Sequence, residues 1–219
     1  MPLTFSTEDG PLTVAPTALA TAGFTGRDEA AVHHHIEELA VLGIAPPSTV
    51  PLFYQLSPSL LCQSDELTVL GTQSSGEVEP FLLRSGGILW LGLGSDHTDR
   101  AFEATSIAHS KQVCGKPVAN ELWRYDDVAD HLDALKLSSW IEEEGKRETY
   151  QEGTLAAIRP LAELLERHPL GEGETMLCGT LGAIGGVRPG DHFAMALSDP
   201  KTGRTIEAGY AVKTLPVIS

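Results

Sequence analysis

The chain has 219 residues of ordinary globular composition, without a repeat or a linker-like stretch, so the expectation is one domain spanning residues 1–219. Its formal net charge of −15 offers no basic face for phosphate backbones or anionic membranes, so neither nucleic acid nor a membrane is expected as a partner. The opening MPLTFSTEDG lacks a basic leader segment, and the longest apolar run, near 88–93, is too short for a bilayer. Cys62, Cys114 and Cys178 are scattered and form no C-x-x-C pair, which fits a reducing cytoplasm.

The first periodic segment runs over 28–42, with acids in its first turn and Gly43 as its stop, and predicts a helix burying Val32, Ile36 and Leu39. Pro46 and Pro47 end it and lead into an extended stretch over 52–56. Three strand-like pieces follow at 66–70, 76–83 and 88–93, the last two joined through Gly86 and Gly87. A helix is predicted over 126–135 and a hairpin over 138–151 turning near Gly145. Residues 153–168 read as a helix broken once by Pro160, with Leu161, Leu164 and Leu165 on its apolar side. The tail alternates as strands at 175–178, 192–197 and 204–212, with Asp199, Pro200 and Gly203 turning between the last two. Many short strands and few helices give an α+β architecture around a rolled or sandwich-like sheet.

Four places carry candidate chemistry. In a strand, Glu77 and Glu79 point to one face and Val78 to the other, so two carboxylates are offered to a hard divalent cation in fixed geometry. The alternative is an exposed strand with an acidic outer face, and Pro80 suggests a sheet edge or bulge. The run Gly94-Ser95-Asp96-His97-Thr98-Asp99-Arg100 emerges where a buried strand ends, as a ligand-bearing loop or as a capped polar turn with an Arg–Asp pair. At about 100° per residue, His33 and His34 face solvent while His35 sits at the edge of the apolar stripe, with Glu38 one turn on. That pairing reads as a general-base dyad or as two unremarkable surface side chains. Gly179-Thr180-Leu181-Gly182 lets backbone N–H groups and a hydroxyl approach an anion, or is a plain turn leading to Pro189-Gly190-Asp191.

The order of these pieces resembles the fumarylacetoacetate hydrolase superfamily, from about Gly23 to Lys213. Its members show an H-x-x-E-L/M helix, a proline-rich strand entry, E-x-E, an N-D-x-S/T-x-R turn, a lysine, an N-G-x-x-x-Q hairpin, G-T-P-x-G and P-G-D. Here stand His35-Ile36-Glu37-Glu38-Leu39, Pro46-Pro47 with Pro51-Leu52-Phe53, Glu77-Val78-Glu79 and Ser95-Asp96-His97-Thr98-Asp99-Arg100. Gly145 with Gln151, Gly179-Thr180-Leu181-Gly182 and Pro189-Gly190-Asp191 complete the series. The chain departs from the pattern in having Gly26-Arg27-Asp28 before the histidine helix and Leu181 in place of the loop proline. Only seventeen positions separate Glu79 from Asp96, as in a shortened, divergent branch that has lost an intervening helix.

The resemblance implies a mixed β-sandwich roll with a few flanking helices, usually a homodimer, holding magnesium or manganese on Glu77, Glu79 and Asp96. It implies a base dyad of His35 and Glu38. It also implies an active-site lysine, best matched by Lys111, sixteen positions before Asp127, with Lys116 in reserve. Thr180 would bind a substrate carboxylate, with Arg100 and Gln151 as further pocket candidates. The activity implied is a divalent-metal-dependent hydrolase cleaving a carbon–carbon bond in a small 2-oxo or β-dicarbonyl acid. The alternatives are a hydratase, dehydratase or decarboxylase of a 2-oxo acid on the same scaffold, or a non-catalytic small-molecule binder.

Overall fold

Side chains that alternate between two faces build most of this molecule. The computed structural model describes residues 1–41 and 45–218, the side chains at 35, 38 and 39 excepted. The chain opens with a hairpin, β1 (Leu3–Thr7) and β2 (Gly10–Val14), then β3 (Ala18–Gly23), helix α1 (Glu29–Val41) and β4 (Leu52–Leu56). Next come β5 (Leu61–Cys62), β6 (Glu66–Leu70), β7 (Ser74–Ser75), β8 (Val78–Ser85), β9 (Ile88–Ser95) and β10 (Thr98–Asp99). Short helices α2 (Arg100–Glu103) and α3 (Ile107–Gln112) lead to β11 (Lys116–Pro117) and β12 (Trp123–Arg124). The hairpin β13 (Lys136–Glu143) and β14 (Lys146–Thr154), helix α4 (Leu161–Arg167), and β15 (Glu174–Leu177), β16 (His192–Ser198) and β17 (Thr205–Leu215) complete the chain.

The strands assemble into a six-stranded sheet in the order β12-β9-β8-β15-β3-β4 and a five-stranded sheet in the order β14-β13-β16-β17-β6. Both are mixed, since β15 runs parallel to β3 and β17 parallel to β6. The main core lies between them: Ala20, Val78, Leu82, Leu91 and Met176 from the first sheet meet Leu137, Met195, Leu197 and Ile206 from the second. The outer face of the first sheet, with Leu19, Phe81, Leu83 and Trp90, is covered by Leu3, Phe5 and Val14 of the N-terminal hairpin. Two faces buried on one sheet explain the near-continuous apolar runs of β8 and β9.

A register shift between Ser139 and Trp140 leaves Tyr150 as the extra residue of a β-bulge, because Ser139 faces Gln151 while Trp140 faces Thr149. The bulge breaks the two-residue alternation, so Tyr150 and Gln151 are both fully buried. It is the reason a polar side chain from β14 reaches the region between the sheets.

Three sequence expectations are corrected. Residues 126–135 hold two single 3-10 turns, Tyr125–Asp127 and Leu132–Ala134, in place of a helix. The segment has four aspartates at 126, 127, 130 and 133, which favour turns over helix interiors, and it buries Val128 and Leu135 as isolated anchors. Residues before Pro160 are likewise not helical: β14 continues to Thr154, a 3-10 turn spans Leu155–Ala157, and α4 starts only at Leu161. The residue preceding a proline avoids the helical region, and Arg159 instead donates its N–H to the Thr25 carbonyl at 2.7 Å. Pro80 lies on an interior strand and not at an edge. Its missing N–H is harmless there, because pairing with β15 begins only at Phe81 and the Pro80 carbonyl accepts from Cys178 N–H at 3.1 Å.

The other predicted elements fall where the pattern places them; the N-terminal hairpin, β3, β5, β7, β10, α3, β11 and β12 are unforeseen. The predicted stripe on α1 buries Val32 and half-buries Ile36, and His33 and His34 are exposed; Gly43 and the side chain of Leu39 lie outside the described residues. Among the described residues, no helix is long and apolar enough to cross a membrane.

The 128–135 segment is pinned to the β16–β17 turn by His131, whose Nδ1 meets Asp130 and whose Nε2 lies 3.1 Å from Asp199 Oδ1. These two carboxylates, Asp130 foremost, raise the His131 pKa above its ordinary 6.5. A raised folded value means the pairing stabilises fully below pH 6.5 and is lost as pH rises through the folded value. Thermal unfolding followed from pH 5.5 to 9 is expected to show a fall in Tm on the alkaline side that His131→Gln flattens; an unchanged profile in that variant would remove His131 from the account.

Candidate functional site

The site grows out of the β8–β9 hairpin. Gly86 and Gly87, at φ 63° and 75°, make a turn that few other residues adopt at both positions. The register it sets pairs Val78 with Ser95 and Glu79 with Gly94, bringing the start of one strand beside the end of the other. Asp96 N–H donates to the Glu77 carbonyl at 3.0 Å, so residues far apart along the hairpin become neighbours. The short step from Glu79 to Asp96 is thus the length of a tight hairpin, with no room for a helix between.

One ligand oxygen each from Glu77, Glu79 and Asp96 lies within 4.8 Å of the others. Glu79 and Asp96 are buried at 3% and 1% exposure, while Glu77 stands half-buried at the rim. Two lysines grip Asp96 from opposite sides: Lys111 Nζ lies 2.5 Å from Oδ2 and Lys116 Nζ 2.9 Å from Oδ1. Lys111 is delivered by α3, which is capped by Ser106 accepting from His109 N–H, and its ammonium sits 5.8 Å over the Tyr54 ring. Lys116 comes from β11, is completely buried, and also donates to the His97 carbonyl. Burial alone would raise the Asp96 pKa, but the two ammonium groups overcome it and hold the carboxyl well below the usual range. Glu79 goes the other way. Burial and the negative charges of Asp96 and Glu77 push its pKa up, against Lys111 and the Gly179 N–H that donates to it at 2.8 Å.

The donor set suits a hard divalent cation. Three carboxylate oxygens converge, and a cation among them would relieve the mutual repulsion that raises Glu79. Exposed acidic clusters are common without an ion, but this one has two of its three members buried.

Arg100 is turned toward protein: Nε donates to Ser75 Oγ at 2.7 Å, Nη1 pairs with Glu103 at 3.0 Å, and Nη2, which makes no hydrogen bond among the described residues, lies 3.2 Å from a Glu77 oxygen. Of the two readings of the 94–100 run, each describes part of it. Asp99 caps α2 by accepting from Phe102 N–H at 2.9 Å, while Asp96 is the buried ligand candidate. Gln151 makes four bonds. Its Oε1 accepts from Val78 N–H (2.9 Å) and Ser139 Oγ (3.0 Å), and its Nε2 donates to Thr180 Oγ1 (2.7 Å) and the Leu181 carbonyl (2.6 Å). That fills the amide's donor and acceptor capacity, and the Val78 N–H fixes which way it points. Thr180, half-buried, also donates to the Val78 carbonyl at 2.6 Å. The side chains of His35 and Glu38, read as the base dyad, lie outside the described residues.

A second network, absent from the sequence reading, backs the turn. His97 is buried, with Nδ1 3.0 Å from Tyr210 OH and Nε2 2.9 Å from Ser74 Oγ, and Tyr210 OH also meets Ser95 Oγ at 2.8 Å. Burial, then Lys116, lowers the His97 pKa to about 3, so the ring is neutral and serves as a fixed brace. Tyr210 belongs to the other sheet, 113 residues along the chain, and no local signal announces the pairing.

A family model described as "Protein of unknown function (DUF2848)" matches residues 22–210. The chain belongs to the DUF2848 family. No curated protein matches this DUF2848 member. Its architecture, however, is shared with solved structures. Cg1458 aligns with a TM-score of 0.66 at 14% identity, over 92% of this chain and 77% of that one. A candidate fumarylpyruvate hydrolase from Burkholderia cenocepacia aligns at 0.65 and 16%, over 99% and 96%. A 2-keto-3-deoxy-D-arabinonate dehydratase complexed with magnesium and 2,5-dioxopentanoate aligns at 0.64 and 13%, over 95% and 78%. At these identities the likeness is one of fold, and it gives this DUF2848 chain the fumarylacetoacetate hydrolase-like fold its motifs resemble.

Gly179 ties the glycine loop to the ligand set. Its φ is +92°, and an added Cβ would stand 1.7 Å from Thr25 Oγ1. Gly179→Ala is expected to destabilise the protein by about 1–3 kcal/mol through backbone strain and loss of the Glu79 contact. Urea unfolding measures this, and a loss below about 0.5 kcal/mol would show that the loop can back away from Thr25 freely.

Proposed function

We propose that this protein is a divalent-metal-dependent enzyme acting on a small 2-oxo or β-dicarbonyl acid, with carbon–carbon bond hydrolysis as the leading reaction. The observation that carries this reading is the convergence of Glu77, Glu79 and Asp96 within 4.8 Å, two of them buried, beside a buried lysine. Glu77, Glu79 and Asp96 would hold magnesium or manganese. A bound divalent cation supplies Lewis-acid polarisation of a 2-oxo carbonyl.

The chain's own groups do the rest. Lys111 places a positive charge beside Asp96, where an ammonium favours enolate character in the substrate. Thr180, itself half-buried, receives the substrate carboxylate by exchanging its bond to the Val78 carbonyl for one to the ligand. Arg100 holds Glu77 at the rim, and Gln151 fixes Val78 against Thr180, so both act by positioning. His35 with Glu38 takes a proton from water or substrate. A dehydratase reading is supported by the magnesium-bound dehydratase that shares the fold, and it uses the same groups without carbon–carbon cleavage.

Calorimetric titration with magnesium and manganese is expected to show binding that weakens at least about tenfold in Glu77→Ala and in Asp96→Asn, as loss of a ligand demands. Binding indifferent to both changes would sink the metal centre. Product analysis on a panel of 2-oxo acids then separates cleavage, which yields two fragments, from dehydration, which yields one product.

A further inference from the structure

Two hydroxyls near the carboxylate cluster are left without protein partners. The strands β3 and β4 flank the six-stranded sheet, and they share a face with β8 that carries Glu79. Leu19, Leu56 and Phe81 pack together on that face, and alternation puts Thr21, Gly23, Tyr54 and Glu79 on the same side. Thr21 is the cross-strand partner of Tyr54 on one side and of Leu177 on the other, and Leu177 in turn faces Phe81, two residues on from Glu79. Thr21 is 1% exposed, and its Oγ1 has no hydrogen-bond partner among the described residues. Buried hydroxyls are nearly always paired, and an orphan of this kind weakens the fold that keeps it. The half-buried Tyr54 likewise makes no hydrogen bond through its hydroxyl among the described residues.

The Tyr54 ring leans over Gly23, where an added Cβ would come within 2.9 Å of Tyr54 Cε2, so a side chain at that position would push the ring away. Placed there, the ring centre lies 5.8 Å from Lys111 Nζ, which itself sits at Asp96. Ring and carboxylate cluster thus flank one side chain, a few carbon–carbon bonds apart. An acid whose carbonyl end is held at the cluster runs its remaining carbons past Lys111 toward this ring. We propose that Tyr54, with Thr21 beside it, is the specificity-determining wall at the far end of the substrate pocket. The ring limits how far the chain extends, and the two hydroxyls take a polar atom at its end. The inference rests on the reading above and adds to it which residues choose among 2-oxo acids. A hydroxyl without a protein partner is satisfied by an oxygen and left unpaired by a methyl group, so the wall selects a short acid with a polar terminus over its alkyl counterpart.

The test uses the full chain with manganese and the acids pyruvate, 2-oxohexanoate and 5-hydroxy-2-oxopentanoate, the last placing a hydroxyl where 2-oxohexanoate has its final methyl. Calorimetry gives the Kd of each for wild type, Tyr54→Ala, Tyr54→Phe and Thr21→Val, and Tm is recorded for all. Wild type is expected to bind the hydroxy acid at least about tenfold more tightly than 2-oxohexanoate. Tyr54→Ala is expected to raise affinity for 2-oxohexanoate relative to pyruvate by about tenfold or more. Tyr54→Phe and Thr21→Val each shrink the preference for the hydroxy acid by at least about threefold, with pyruvate binding kept. Thr21→Val also raises Tm, because it removes the orphan hydroxyl. If Tyr54→Ala fails to fold, Tyr54→Leu carries the length comparison. Wild type that binds the acids overturns the proposal, and leaves the metal centre standing, if Tyr54→Ala keeps its ranking by length or if both Tyr54→Phe and Thr21→Val keep its hydroxyl preference. Wild type that binds manganese but none of the acids overturns the substrate class and the wall with it, and a chain that binds no manganese overturns the metal reading itself.

Discussion

The interaction on which this structure turns is the double grip of Lys111 and Lys116 on the Asp96 carboxylate. A carboxylate that is 1% exposed is tolerable only if its charge is met, and Glu79 beside it makes the demand greater. Nearly every local feature around the site serves this balance. Helix α3 is short and capped so that Lys111 arrives at one oxygen, while β11 is sewn between β5 and β9 so that Lys116 arrives at the other. Arg100 does the same for Glu77 at the rim, and the Gly179 N–H does it for Glu79 from the glycine loop.

Hydrogen bonds then carry the order of the charged cluster outward into both sheets. Val78 sits between Glu77 and Glu79, and its N–H and carbonyl are taken by Gln151 and Thr180. Gln151 belongs to β14 and is turned inward only because the bulge at Tyr150 breaks the alternation there. Behind the turn, the neutral ring of His97 is held at both nitrogens, one by Tyr210 of the second sheet and one by Ser74. The ligand strand is thus located by contacts from elements distant in sequence, each saturated by protein partners.

What the sequence disclosed follows the range of the physics involved. Hairpins and alternating strands are local, and the elements from β6 through β9 and from β13 to β17 were largely legible from period and turn residues. The E-x-E pair and Asp96 were legible too, because alternation and a strand end place side chains without reference to the rest of the fold. The false helix over 126–135 came from a spacing of apolar residues that tertiary anchoring used differently, at Val128 and Leu135. Pro80 misled because an interior strand need not be paired along its whole length. The choice between Lys111 and Lys116 was not decidable from spacing, since both reach the same carboxylate. The His97–Tyr210 contact, made between sheets, left no trace in either local sequence.

The tight turn at Gly86–Gly87 has a consequence for how the site comes into being. Glu77, Glu79, Asp96, Arg100, Lys111 and Lys116 all fall within one continuous stretch of forty residues. Closing a loop of that size takes little more entropy than closing a much shorter one, because the cost grows only with the logarithm of length. The charged heart of the molecule is therefore assembled from near neighbours in the chain, and the distant strands that carry Gln151 and Tyr210, with the glycine loop that carries Thr180, close over a cluster whose members one hairpin and its sequel already supply.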